Sequence, residues 1–154
     1  MGANTDRVEE ILRDHGMHDR VRRFDEAVPT AAAAAETLGC EVGAIANSLI
    51  FTADGEPLLV LASGAHRVDR KRVAALVGAA KVRQATPEQV LAATGQEVGG
   101  VAPVGHPRTV HTLVDVWLAK HDEIWAGAGE HASMFRSTFD ELIALTGGEP
   151  AEIA

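Results

Sequence analysis

The sequence is poor in cysteine, in aromatic residues and in positive charge. Cys40 is the single cysteine of 154 residues, which excludes an intramolecular disulfide and a zinc site built from several cysteines. Only 4% of the residues are aromatic and none is tyrosine, so aliphatic side chains must fill most of the core. The formal net charge of −8 argues against a general nucleic-acid binder, and such a partner would have to contact a local basic patch.

Long apolar runs and several catalytic signatures are also absent. No apolar stretch approaches the roughly 20 residues that cross a bilayer, so we expect a cytoplasmic protein without membrane contact. No Gly-x-Ser-x-Gly elbow, Walker A loop or dinucleotide fingerprint occurs. The seven histidines do not have the spacing of a metal site, and we expect neither a metal nor a cofactor.

The remaining composition is that of an ordinary globular protein. Apolar residues make up 46% and charged residues 23% of the chain, and its length favours a single domain over residues 1–154. Apolar periodicity and capping residues predict five helices. Their start signals are, in chain order, Asn4 or Thr5, Thr30, Asp69, the capping box Thr86–Gln89, and Ser137 or Thr138.

Strand signals lie between these helices. Ile45–Thr52 and Leu58–Ala62 are apolar runs joined through Asp54-Gly55, which predicts an antiparallel hairpin because glycine supplies the positive φ of the turn. Helices interspersed with strands, together with a hairpin, predict a mixed α/β fold of the α+β type with a partly antiparallel sheet. The other predicted strands are Val21–Val28, Lys81–Gln84, Val110–Val114 and Ile124–Ala126.

One glycine-rich loop and two basic runs have the composition of a binding site. The loop Gly99–Gly105 combines three glycines with Pro103 and can expose successive backbone N–H groups to a carbonyl oxygen or an oxyanion. A glycine-rich turn that only leads into a strand is the equal alternative. The basic runs are either phosphate contacts or solvated helix faces. Their members are Arg22 and Arg23 in one run and Arg67, Arg70, Lys71 and Arg72 in the other.

An ordered set of segments resembles the YbaK/EbsC family of aminoacyl-tRNA deacylases, which are related to the editing domain of prolyl-tRNA synthetases. The likeness extends from about Thr30 to Gly147. It implies a compact domain with a curved, mixed, largely antiparallel sheet of about six or seven strands surrounded by helices. The segments that carry it are Gly43–Phe51, Leu59–Gly64, Arg67–Lys71, Ala85–Val90, Thr94–Gly95, Gly99–Gly105 and Leu113–Asp115.

The resemblance implies a free-standing enzyme that hydrolyses the ester of a mischarged tRNA, with the prolyl system as the expected source. A catalytically weakened module that binds an aminoacyl-adenosine-like ligand or a protein partner is the alternative. The expected partners are the aminoacylated 3′ end of tRNA and a prolyl-tRNA synthetase, and the expected assembly is a monomer or a small homo-oligomer.

The resemblance also assigns site residues. Gly99–Pro103 would line the aminoacyl pocket, with N–H groups of Gly100, Val101 and Ala102 facing the ester carbonyl. Asn47 stands where the family has a lysine, and its neutral amide replaces a charge-assisted hydrogen bond of roughly 1.5–3 kcal/mol. Ser48 and Asp115 are further substrate-binding candidates, although Asp115 fits a helix cap or strand end as well.

Strand alternation makes the assignment of Asn47 specific. Residues 45, 47, 49 and 51 share one strand face, so Asn47 lies among apolar side chains while Ser48 points the other way. A polar amide on such a face is costly unless it is hydrogen-bonded. We therefore expect either a core backbone group that satisfies Asn47, or a cavity that Asn47 shares with the Gly99–Pro103 loop. No general base is evident on the matching segments.

Overall fold

The chain forms five α-helices and eight β-strands within the residues that the computed structural model describes, 2–28 and 30–154. Two short 3-10 helices, Val42–Ala44 and Val116–Lys120, accompany them. In chain order the elements are α1 (Ala3–Asp14), β1 (Val21–Arg23), α2 (Ala31–Leu38), β2 (Ile45–Ala53), β3 (Glu56–Ser63), α3 (Arg70–Val77), β4 (Val82–Gln84), α4 (Pro87–Thr94), β5 (His111–Asp115), β6 (Ile124–Gly127), β7 (Ser133–Ser137), α5 (Phe139–Thr146) and β8 (Glu149–Ala151).

All eight strands belong to one mixed sheet, in the order β1-β7-β6-β2-β3-β5-β8, with β4 on the outer edge of β2. The β1–β7, β2–β3, β2–β4 and β6–β7 pairs are antiparallel, whereas β2–β6, β3–β5 and β5–β8 are parallel. The mixed, largely antiparallel fold class is therefore confirmed. The sheet has eight strands, whereas the resemblance implied about six or seven. Strands β7 and β8 are the two that carried no clear strand signal in the sequence.

The predicted hairpin forms as β2 and β3, paired from Ala46–Ser63 to Ala53–Glu56. Asp54 and Gly55 both have positive φ, 51° and 88°, as a two-residue type I′ turn requires. The Asp54 carboxylate also accepts hydrogen bonds from the N–H groups of Ala80 and Lys81, each at 2.9 Å. The turn thereby holds the start of β4 beside β2.

Four of the five helices begin at the predicted caps. Thr30, Asp69 and Thr138 accept N–H hydrogen bonds of the first turn, and Thr86 forms the reciprocal capping box with Gln89. The predicted cap of α1 is wrong, because Asn4 and Thr5 lie inside the helix.

The N-terminus of α1 is capped instead by a distant carboxylate. Glu130 accepts the N–H groups of Asn4 and Thr5 at 2.9 and 3.2 Å. An anionic side chain is favourable there because the first N–H groups of a helix carry positive partial charge. A cap that lies 126 residues away leaves no local signal.

The sheet buries apolar side chains on both faces because β2 and β3 alternate. Leu59 and Leu61 pack with Ala46 and Ile50 against α1, α4 and α5. Phe51 packs with Leu58, Val60 and Ala62 of β3 against α3, and a smaller cluster lies under α2. The strand predicted over Val21–Val28 is only the three residues of β1. No helix of the described residues is long and apolar enough to span a membrane.

Candidate active site

A gap in the sheet lies along the outer edge of β2. Strand β6 pairs only with Ile45–Ala46, and β4 pairs only with Phe51–Ala53. Between them the outer edge has one sheet-like contact, from the N–H of Ala85 to the carbonyl of Ile50 at 3.2 Å. A cleft of about 690 Å³ opens at this gap and includes residues 45–51 in its wall.

Two neighbouring polar side chains in the gap have no protein partner. Ser48 Oγ is the one buried side-chain oxygen or nitrogen of the described residues without a hydrogen bond. The half-buried Asn47 amide also makes no hydrogen bond within the described part of the chain. Both residues line the cleft, and unpaired polar groups of this kind cost free energy. The expectation of a core backbone partner for Asn47 is therefore wrong.

The backbone of Ser48 adds a donor and an acceptor to the same edge. In an antiparallel ladder, alternate residues turn their N–H and C=O groups away from the partner strand. The carbonyl of Ile50 points outward to Ala85, so the N–H and C=O of Ser48, two residues earlier, point outward as well. The cleft thus receives the hydroxyl, the N–H and the C=O of one residue.

The facing wall is the glycine-rich loop, whose members Gly99 and Val101 line the cleft together with Asn47 and Ser48. The predicted cavity shared by Asn47 and the loop is therefore present. Gly100, Ala102 and Pro103 are not among the lining residues.

Internal hydrogen bonds hold this loop. The N–H of Gly100 donates to the carbonyl of Glu97 at 3.0 Å, and the N–H of Ala102 donates to Gln96 Oε1 at 2.7 Å. Gln96 is only 2% exposed, and its Nε2 donates to the carbonyl of Val104 at 3.1 Å. The predicted donor role is therefore wrong for Gly100 and Ala102, whose N–H groups are engaged. Of the three, Val101 is the one whose N–H has no acceptor among the described residues.

Close backbone packing fixes the same loop against the connection between β6 and β7. A Cβ on Gly100 would lie 2.9 Å from the carbonyl carbon of Glu130, and one on Gly127 would lie 2.6 Å from the carbonyl oxygen of Val101. Only glycine fits so close an approach. On the far side His106 Nε2 hydrogen-bonds the carbonyl of Ala102 at 2.8 Å, and burial lowers the pKa of this imidazole.

One end of the cleft is positively charged. Arg67 and Arg70 line it, and no carboxylate of the described residues lies within ion-pair distance of either. The other predicted tRNA contacts lie outside the cleft. Arg72 is 3.9 Å from Glu152, Arg23 is 2.8 Å from Asp6, Arg22 lies over the ring of Phe24, and Lys71 does not line the cleft.

Asp115 lies beneath the cleft and does not line it. It is 1% exposed, and its carboxylate accepts the N–H of Trp117 at 2.9 Å and that of Ser63 at 3.0 Å. The cap interpretation is therefore confirmed, and direct substrate contact is wrong because the carboxylate is buried. The same carboxylate binds Nδ1 of His66 at 2.8 Å, and His66 does line the cleft.

Sequence reasoning missed three residues that shape the site. Gln96 holds the loop, Glu130 joins the cleft wall to α1, and His66 links Asp115 to the cleft. Among the described residues no three histidine, cysteine or acidic side chains gather as a metal site.

Residues 25–145 match the family model of the aminoacyl-tRNA editing domain. The chain belongs to this family. The resemblance inferred from the ordered segments is thereby confirmed. Two of the segments that carried the resemblance contribute to the walls of the cleft, through Asn47 and Ser48 of β2 and through Gly99 and Val101 of the loop.

Two curated relatives and one solved structure illustrate the similarity. The uncharacterized protein YwhH of Bacillus subtilis (strain 168) is 33% identical over 123 residues, 79% of this chain and 78% of YwhH. The proline–tRNA ligase of Staphylococcus haemolyticus (strain JCSC1435) is 27% identical over 137 residues, and the match covers 86% of this chain but 24% of the ligase. A crystal structure provisionally described as a trans-editing enzyme for prolyl tRNA synthetase has 38% identity and a TM-score of 0.92, covering 99% of this chain and 98% of that chain.

Proposed function

We propose that this protein is a free-standing deacylase that hydrolyses the ester between a wrong amino acid and the 3′ end of a tRNA of the prolyl system. Membership of the editing-domain family and the nearly full-length likeness to a described trans-editing enzyme support this proposal. The observation that carries it is the pair of unpartnered polar side chains, Asn47 and Ser48, facing a rigid glycine-rich wall across one cleft.

The ester carbonyl would lie between the two walls. The outward N–H and hydroxyl of Ser48 and the N–H of Val101 are the donors that the cleft offers to its oxygen. Donors held in place before the reaction stabilise the charge that develops on a carbonyl oxygen as water attacks. Asn47 would orient a ribose hydroxyl or the terminal phosphate with its amide.

The polynucleotide would leave the cleft at its positive end. Arg67 and Arg70 provide two cations without a carboxylate partner among the described residues, whereas the chain as a whole carries a net charge of −8. Contact with tRNA is thereby confined to this end, and general attraction to the rest of the surface is weak. Affinity should fall steeply with salt because phosphate contacts release counterions.

A second candidate function is binding without turnover. Asn47 favours it, because a neutral amide replaces the lysine that the family places at this strand position. A module of this kind would hold an aminoacyl-adenosine-like ligand in the same cleft. The deacylase, in contrast, meets a known physical need. In a synthetase pocket the binding free energies of two amino acids that differ by one small group differ by only about 1–3 kcal/mol, so mischarged tRNA forms and has to be hydrolysed.

The deciding experiment is a deacylation assay of the wild-type protein against a panel of mischarged tRNAs. We expect release of at least one amino acid well above the rate of spontaneous hydrolysis. Binding of a non-hydrolysable aminoacyl-adenosine without any release would overturn the deacylase and select the binding module.

A second measurement tests the tRNA contact. The double variant Arg67→Glu/Arg70→Glu should weaken tRNA binding about tenfold or more and flatten its salt dependence. Arg83→Glu, an exposed arginine on β4 outside the cleft, is the matched control and should retain binding. Equal affinity of the double variant and the wild type would remove Arg67 and Arg70 from the site.

A further inference from the structure

We propose that His66 is the general base of this hydrolysis and that Asp115 is its positioning residue. This inference rests on the proposed deacylase function and adds a proton acceptor, which the matching sequence segments do not supply. It arises from one juxtaposition, a cleft-lining imidazole bound to a buried carboxylate 49 residues away in sequence.

The contact with Asp115 determines which nitrogen of His66 faces the cleft. Asp115 Oδ2 accepts the N–H of Ser63 at 3.0 Å and lies 2.8 Å from Nδ1 of His66. A carboxylate already bonded to N–H donors takes a further proton donor, so Nδ1 carries the hydrogen. Nε2 lies on the other side of the ring, has no partner among the described residues, and is left with an unshared electron pair.

The orientation of the imidazole is held from a second side. The rings of His66 and Trp117 lie 4.8 Å apart between centroids at 52°, and the ammonium of Lys120 covers Trp117 at 3.4 Å. The backbone N–H of Trp117 in turn donates to Asp115 Oδ1 at 2.9 Å. A histidine base has to be held in one orientation and one tautomer, and the carboxylate and the packing hold the ring of His66 in this way.

The other titratable side chains that line the cleft do not meet this requirement. Arg67 and Arg70 have no acceptor atom. Both carboxylate oxygens of Glu130 accept hydrogen bonds from α1, namely from the N–H groups of Asn4 and Thr5 and from the hydroxyl of Thr5. His131 is 52% exposed and faces Glu97 at 3.4 Å, a surface carboxylate that does not hold the ring in place.

The proposed step balances without a cofactor. Nε2 of His66 takes a proton from water as the water oxygen bonds to the ester carbonyl carbon, and the carbonyl electron pair moves onto its oxygen. That pair returns as the bond between the carbonyl carbon and the ribose oxygen breaks. The imidazolium then gives its proton to the departing ribose oxygen. The products are the free amino acid and a tRNA with a free hydroxyl, and His66 is regenerated.

Chemical rescue tests this role. With a mischarged tRNA that the wild type deacylates, His66→Ala and His66→Gln should each lower kcat by about 100-fold or more with little change in KM. Added imidazole should restore part of the activity of His66→Ala, whereas a residue that only supports the fold gives no such recovery. His66→Gln keeps an N–H donor toward Asp115 and, with thermal unfolding, shows that the loss is not due to misfolding.

His111→Ala is the matched control, because His111 also pairs with a carboxylate, Glu149 at 3.1 Å, but lies outside the cleft. It should retain wild-type kcat. Unchanged kcat in His66→Gln, a raised KM alone, or rescue confined to His131→Ala would each overturn the general base while the deacylase stands. A wild type that deacylates no tRNA would overturn the proposed function and this role together.

Discussion

The two walls of the cleft differ in how their polar groups are satisfied. On the β2 wall, Ser48 Oγ and the Asn47 amide have no partner within the described residues. On the loop wall, the buried Gln96 amide bonds both the N–H of Ala102 and the carbonyl of Val104. On the loop wall the N–H groups of Gly100 and Ala102 are thus satisfied within the fold, and of the three donors only the N–H of Val101 has no acceptor among the described residues. On the β2 wall neither polar side chain has a partner.

This contrast separates residues that build the site from residues that contact its ligand. Breaking a satisfied, buried hydrogen bond lowers the stability of the fold, because the remaining partner stays unpaired. Removing a polar group that has no partner costs the fold nothing. Substitutions on the loop wall should therefore change stability first, and substitutions on the β2 wall should change activity first.

The largest effect is expected for Gln96→Leu. It leaves the N–H of Ala102 and the carbonyl of Val104 unpaired in the core, at about 1–3 kcal/mol each, so the free energy of unfolding should fall by about 2–6 kcal/mol. Urea denaturation measures it. Gln89→Leu is the matched control, because its hydrogen bond at Thr86 is exposed and should cost about 1 kcal/mol. Similar losses in both variants would contradict the distinction between the walls.

Asn47→Lys should come next, with the opposite sign on function. The cleft beside Asn47 has room for an ammonium, so the fold should tolerate the change, and deacylation should rise by about tenfold or more, as a charge-assisted hydrogen bond of roughly 1.5–3 kcal/mol predicts. Single-turnover deacylation and thermal unfolding are the measurements. Thr52→Lys controls for a lysine on this strand. A loss of several kcal/mol without any gain in activity would mean that the lysine is buried unpaired, and would remove Asn47 from the site.

Ser48→Ala sharpens the comparison within one strand pair. Because Ser48 Oγ has no partner, stability should stay within about 0.5 kcal/mol of the wild type while deacylation falls. In the control Ser63→Ala, the lost hydroxyl donates to the carbonyl of Gly43 at 2.7 Å, and stability should fall by about 1–3 kcal/mol. Denaturation midpoints and deacylation rates of the two variants decide the matter. Equal destabilisation of both would show that Ser48 is also bonded internally.

The smallest effect is a pH dependence on the loop wall. Burial lowers the pKa of His106 below its ordinary value of 6.5, so the unfolded chain binds more protons than the folded chain in the interval between the two pKa values. The stability that His106 contributes is present above the unfolded value and is lost as pH falls through that interval. Unfolding measured from pH 8 downward should show this loss, and His106→Gln should lack it. An identical acid response in both proteins would exclude His106 as its source.

Local signals predicted the elements whose stabilising contacts are close in sequence. The Asp54-Gly55 turn and the Thr86–Gln89 capping box involve residues within three positions of each other, and both formed as expected. Strand β8 was missed because Pro150 lies in its centre and its pairing with β5 is entirely nonlocal. The cap of α1 was predicted wrongly for the same reason, since its acceptor is Glu130.

The candidate site also combines residues that the sequence could identify with contacts that only the fold reveals. Residue type and family likeness predicted Asn47, Ser48 and Gly99, which share the cleft. Neither could reveal that Gln96 had already taken the N–H of Ala102, or that Asp115 is buried beneath His66. Those facts depend on hydrogen bonds between elements whose spatial order follows from the sheet.

The chain's own pattern of caps and turns decided the starts of four helices and the β2–β3 hairpin, because these effects act over a few residues. The alternation of side chains placed Asn47 and Ser48 on opposite faces of β2. The family assignment also followed from ordered residues alone. Folding decided the rest. The sheet order left the outer edge of β2 unpaired, and the packing of the loop and of Asp115 determined which donors and which imidazole face the cleft. Backbone and side-chain polar groups form hydrogen bonds with any partner that the fold brings within reach. When that partner is distant in sequence, the residues adjacent in sequence do not reveal it.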